Sequence, residues 1–148
     1  MKTVFTLTSA ESRRLIAKAV VAMPEFKKAW ESAYLLLAGG TTNAFIAQEL
    51  LGRDGIEPGR CTVGISTDGL LCVTNPDSRK SFPNVFYKGE KSDKTLVEAL
   101  ADFHADTVVI KGANAVDMNG YVGIITSGFD GGTVPRIIGP VTSKGLKF

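Results

Sequence analysis

The chain has 148 residues, of which 44% are hydrophobic and 22% charged, and a formal net charge of +2. That length supports one domain with a core of its own, and so mild a positive balance excludes the basic stripe of a nucleic-acid binder. No apolar run reaches the ~18 residues that span a bilayer, and the Met1-Lys2-Thr3-Val4-Phe5 start lacks the long apolar segment and cleavage site of a signal peptide, so a cytoplasmic protein without a membrane partner is expected.

Thr8-Ser9-Ala10-Glu11 fits a capping box, with Thr8 as cap and Glu11 at the third helical position. Leu15, Ile16, Ala19, Val20 and Met23 follow at helical spacing, which predicts an amphipathic helix ending near Pro24. Pro24 suits the first turn of a second short helix through Trp30. Arg13, Arg14, Lys27 and Lys28 read as solvated faces of these helices.

Tyr34-Leu35-Leu36-Leu37-Ala38 is the near-continuous apolar run of a buried parallel strand. Gly39-Gly40-Thr41-Thr42-Asn43 then forms a tight turn into a helix that stops near Gly52, with Thr41, Thr42 or Asn43 as its cap. Cys61 and Cys72 match no zinc or redox spacing and read as small buried hydrophobes. Asp68-Gly69 between two strand-like runs predicts a type I′ hairpin. A short strand is expected over 84–88, and a helix capped by Asp93 is expected to run through Phe103. Thr107 to Ile110 reads as a second buried strand, and a turn at Met118-Asn119-Gly120 leads on to Tyr121 to Thr126. A second Gly-Gly-Thr turn, Gly131-Gly132-Thr133, leads into a helix over Val134 to Ser143 disturbed by Pro140. Leu146 to Phe148 reads as the first residues of another strand, so the single domain, 1–148, reads as truncated at its C-terminus.

Ligands of open α/β sheets sit outside the carboxyl ends of strands. Three loops are expected at that edge: Gly39 to Asn43, Lys111 to Asp117, and Gly128 to Thr133. A glycine turn opening a helix presents free N–H groups and a partial positive charge to an anion. The candidate ligand set is therefore Gly39, Gly40, Thr41, Thr42, Asn43, Gly112, Asn114, Gly131, Gly132 and Thr133, with Lys111 neutralising an anion and Asp117 the one plausible general base. Each has a plainer reading: a strand–helix connection, an exposed loop charge, and for Asp117 the cap of the Asn119-Gly120 turn. Neither a metal site nor a cofactor is expected.

The Leu37-Ala38-Gly39-Gly40-Thr41-Thr42-Asn43 turn and the Lys111-Gly112-Ala113-Asn114-Ala115-Val116-Asp117 loop resemble the superfamily of ribose-phosphate isomerase, glucosamine-phosphate deaminase and CoA transferases. The resemblance covers roughly residues 10–145. It implies a Rossmann-like, three-layer α/β/α sandwich with a mostly parallel, mixed central sheet, and a sugar-phosphate or CoA-type ligand. Isomerase-like or transferase-like activity follows from it as an expectation, with a non-catalytic ligand-sensing or regulatory module as the alternative. A homo-oligomer is also expected. The sequence departs from the isomerase pattern in the second loop, where acidic positions become Lys111, Asn114 and Ala115 and only Asp117 keeps a carboxylate.

Overall fold

The computed structural model describes residues 2–148. Its helices are α1 (Ser9–Ala22), α2 (Pro24–Ser32), α3 (Thr41–Leu51), α4 (Leu96–Asp102) and α5 (Thr133–Lys144). Its strands are β1 (Tyr34–Leu37), β2 (Gly64–Thr67), β3 (Leu70–Val73), β4 (Val85–Tyr87), β5 (Glu90–Lys91), β6 (Val108–Ile110), β7 (Ala115–Val116) and β8 (Val122–Gly123).

Local chemistry sets most of the boundaries. Thr8 Oγ1 accepts the Glu11 N–H at 3.3 Å while the Glu11 carboxylate accepts the Thr8 N–H at 2.8 Å, the reciprocal pair expected at the start of α1. Met23 is extended before Pro24, which opens α2, as a residue before proline must be. The same capping box recurs at α4, but on Thr95 and Glu98 and not on Asp93. Arg14, read as solvated, instead reaches from α1 to α3, where it bonds the Gln48 and Glu49 side chains. Its guanidinium lies 4.7 Å from the Phe45 ring centre, so it seals the edge of the α1–α3 contact rather than facing water.

Four strands form the main sheet in the order β5-β4-β1-β6. All four residues of β1 are buried, each side chain contributing roughly 1.5–3 kcal/mol by leaving water. Alternation along the strands divides the core. Leu35, Leu37, Phe86 and Val108 meet Ala17, Phe26, Ala44 and Ile46 from α1, α2 and α3. Tyr34, Leu36, Val85 and Val109 meet Ala99 of α4 and Ile137 of α5. Lys147 pairs in parallel beside Val108, where the sequence suggested a further strand.

The expected fold class is overturned. The chain does not form a Rossmann-like three-layer sandwich on a mostly parallel sheet. Among the described strands β1–β6 is the one parallel pair, extended by the single parallel bridge at Lys147, while β1–β4 and β4–β5 are antiparallel. The remaining strands make two separate antiparallel ribbons, β2–β3 and β7–β8. A parallel neighbour requires a crossover, usually a helix. After α3 the chain instead runs through a short 3-10 turn, a hairpin and a second 3-10 turn, and so meets β1 from the opposite direction. The hairpin turn itself is as expected, with positive φ at Asp68 (51°) and Gly69 (76°). After the turn at Met118 to Gly120 the chain forms β8, paired with β7 inside what had read as a loop. Among the described residues no helix is long and apolar enough to cross a membrane.

Candidate functional site

Because β1 and β6 are parallel neighbours, their carboxyl ends lie side by side. Leu37 is opposite Ile110, and the next residue, Ala38, donates its N–H to the Ile110 carbonyl at 3.0 Å. The Gly39–Gly40 turn and Lys111–Gly112 therefore emerge from the sheet together. Gly40 is the N-cap of α3, at φ 146° and ψ 157°, a region essentially closed to other residues. No side chain caps this helix, so none of Thr41, Thr42 and Asn43 takes the expected capping role. The first-turn N–H groups, beside the partly exposed Thr41 and Thr42, carry the helix's partial positive charge. A Cβ built on Gly39 or Gly40 would meet nothing within 4 Å, so the space over the turn is open.

Asn43 sits beneath that turn, 1% exposed. Its Nδ2 donates to the Ala38 carbonyl at 2.6 Å and to the Ile110 carbonyl at 3.1 Å. Both amide hydrogens are engaged in joining the ends of β1 and β6. Asn43 thus positions the edge, with no donor left for a ligand.

Lys111 is partly buried, and loss of hydration pulls its ammonium below the ordinary lysine value. Lys28, Lys80 and Lys94 each pair with a carboxylate. Lys111 has neither an ion pair nor a side-chain hydrogen bond among the described residues. A cation withdrawn from water without a counter-charge is disfavoured, and its chain segment leaves β6 beside the open, uncapped helix start.

On the other flank of β1, Leu37 donates its N–H to the Asn84 carbonyl at 2.8 Å. This places a hollow of about 180 Å³ beside the turn, lined by Gly39, Cys61, Thr62, Arg79, Lys80 and Asn84 among others. Pockets that enclose drug-sized ligands run to roughly 300–1,000 Å³, so this one has room for a small group and not for a whole CoA ester. Its cations are already engaged. Arg79 donates to Thr74 Oγ1 at 2.8 Å and to the Thr74 carbonyl at 2.5 Å, and Lys80 pairs with Glu57. The Cys61 thiol donates to the Glu57 carbonyl at 3.3 Å, and burial pushes its pKa up, which makes it a packing group and a poor nucleophile. Sequence reasoning did not bring this hollow to the site. Its one signal was Arg79-Lys80 in a polar loop, and only the β1–β4 pairing carries that loop to Gly39.

The rest of the second loop is a ribbon. Asn114 Oδ1 accepts the Ile125 N–H at 2.9 Å. Asp117 Oδ1 accepts the N–H groups of Asn119 at 2.9 Å and Tyr121 at 2.8 Å, which is the turn-capping role. Gly131, Gly132 and Thr133 take the same place before their helix as Gly39 to Thr41, since Gly132 caps α5 and Thr133 is its first residue, but with a different backbone, Gly132 lying at φ 75° and ψ −137°. This turn, however, holds an anion of its own: Asp130 accepts the Gly132 N–H at 3.1 Å and pairs with Arg136. α5 carries the chain back to Lys147 at the start of β6, so it begins at the same end of the sheet, but among the described residues no hydrogen bond ties its start to Gly39–Asn43. The structure thus assembles Gly39, Gly40, Thr41, Thr42, Lys111 and Gly112, with Asn43 as their support. Asn114, Asp117 and the Gly131–Thr133 turn serve their own loops. Among the described residues, no group of three His, Cys, Asp or Glu side chains is placed to hold a metal ion. Comparison with known protein families, with characterised proteins and with solved structures finds no match for this chain.

Proposed function

We propose that the chain binds a phosphorylated or carboxylated small molecule at the carboxyl edge of β1 and β6. Lys111 carries this reading, as a partly buried cation with no carboxylate partner among the described residues, on the segment that leaves β6 beside the uncapped start of α3. An anion seated on the Gly40–Thr42 N–H groups would restore the charge balance that the ammonium lacks. The 180 Å³ hollow next to Gly39 favours a phosphate or carboxylate on a small body, such as a sugar phosphate, with any larger portion lying outside. A thermal-shift titration with inorganic phosphate, sugar phosphates and CoA esters tests it. A ligand at 100 times its Kd stabilises the fold by ~2.7 kcal/mol, and Lys111→Ala is expected to weaken binding more than tenfold, or about 1.4 kcal/mol. Unchanged affinity in that variant would remove Lys111 from the site.

One observation favours ligand sensing over sugar-phosphate isomerisation. Proton transfer between carbons needs a base within reach of the C–H, and the Asp117 carboxylate is engaged by the Asn119 and Tyr121 amides. Binding without turnover of sugar phosphates is the outcome this reading expects, and measurable isomerisation by the purified protein would refute it.

A further inference from the structure

Two uncovered ribbons flank the candidate site. The β2–β3 hairpin projects beside the hollow, and its register places Leu71 and Val73 on one face and Leu70 on the other. These three side chains are 71%, 74% and 64% exposed. On the Lys111 side, the β7–β8 ribbon exposes Met118, Tyr121 and Val122 by 102%, 76% and 58%. From Cys61 to Asn75 the one charged residue is Asp68, at the hairpin tip. Exposed strand edges are normally blunted by charge, proline or a covering element, and a lone two-stranded hairpin is marginal in water.

Area points the same way. A compact monomer of this mass, 15.7 kDa, exposes about 7,300 Å². This chain exposes 9497 Å², an excess of roughly 2,200 Å² over that scaling, to which the extended N-terminal segment contributes a part. The six ribbon side chains alone expose on the order of 800 Å², which is what one partner gives up in a standard interface.

We infer that a second copy of this chain covers both ribbons, in a two-fold pair that closes over the Gly39–Lys111 edge. Each patch adjoins the carboxyl ends of β1 and β6, the hairpin through Val63 in the hollow and the β7–β8 ribbon through the segment that follows β6, so a two-fold axis over that edge lets the hairpin of each copy cover the β7–β8 ribbon of the other. The pairing stands on the exposed ribbons, whereas its closure over an anion rests on the binding proposed above.

Light scattering on the purified chain should give a dimer, and Leu71→Glu and Val122→Glu should each reduce it to a monomer with an unchanged circular dichroism spectrum. A monomeric wild type, an open-ended assembly, or a dimer that survives either substitution would overturn the pairing. Inorganic phosphate, titrated by thermal shift, tests closure separately. Affinity should fall severalfold in the monomeric variants, and equal affinity in monomer and dimer would refute closure. A dimer that binds no phosphate would instead count against the anion site and leave the interface standing.

Discussion

Two side chains at the strand ends have opposite relations to stability. Asn43 joins β1 to β6 through two buried hydrogen bonds. The Ile110 carbonyl keeps a second donor in the Ala38 N–H, so Asn43→Ala mainly orphans the Ala38 carbonyl. It should cost ~1–3 kcal/mol in urea denaturation, and Asn43→Asp more, because a carboxylate facing two carbonyls repels them. A cost below ~0.5 kcal/mol would show that the clamp is dispensable. Lys111 works the other way. Its folded pKa is lowered by burial, so the unfolded chain binds that proton more tightly. Its destabilising contribution is complete below the folded pKa and is relieved as pH rises through that value towards the ordinary 10.5. Lys111→Met should therefore raise the ligand-free melting temperature, by at most ~1 kcal/mol equivalent, while weakening phosphate binding. A variant that loses stability and keeps affinity would contradict both roles. The sequence pointed to both residues, but it assigned Asn43 to the ligand. The burial that makes Asn43 a clamp depends on β6 lying parallel to β1, which no local pattern encodes.

At the scale of elements, what was legible is what short-range chemistry decides. The Thr8–Glu11 box, the Pro24 helix start, the buried run of β1 and the Asp68-Gly69 turn all stand where the residues placed them. Pairing was not legible. β4 joins β1 antiparallel because of the path between them, and β7–β8 is a ribbon of two residues per strand, too short for alternation to register. Asp117 illustrates the difference, since the same carboxylate reads as a base or as a turn cap until β7 and β8 pair. The two roles separate experimentally. Asn retains the carbonyl acceptor that the Asn119 and Tyr121 amides need, so Asp117→Asn should preserve hydrogen-exchange protection in β7–β8, whereas Asp117→Ala should lose it. Phosphate affinity should be near wild type in Asp117→Asn. If Asn and Ala reduce protection equally, the carboxylate charge and not the turn bond holds the ribbon.

For the whole molecule, charge is arranged around a small apolar core. Exposed carboxylates at helix starts and in ion pairs are held below their ordinary values. Hydrogen bonds from Thr8 and Thr95 do this for Glu11 and Glu98, and Lys80, Lys94 and Lys28 do it for Glu57, Asp102 and Asp106. Asp130 belongs to the same set through the Gly132 amide and Arg136. For each, the folded pKa is depressed, so its contribution is complete above the ordinary values of 4.5 for Glu and 3.8 for Asp and disappears as pH falls through the folded value. These groups are solvated, so each contribution is small and screened by salt, but they act together and with one sign. The urea midpoint should therefore hold steady from neutral pH down to the ordinary carboxylate range and fall below it. High salt should flatten that decline, since ions screen the lysine pairs more than they weaken the threonine caps. Thr8→Ala and Thr95→Ala should then reduce the residual, salt-resistant part of the acid sensitivity. A midpoint independent of pH across that range would mean the unfolded chain holds its carboxylates as low as the native fold does.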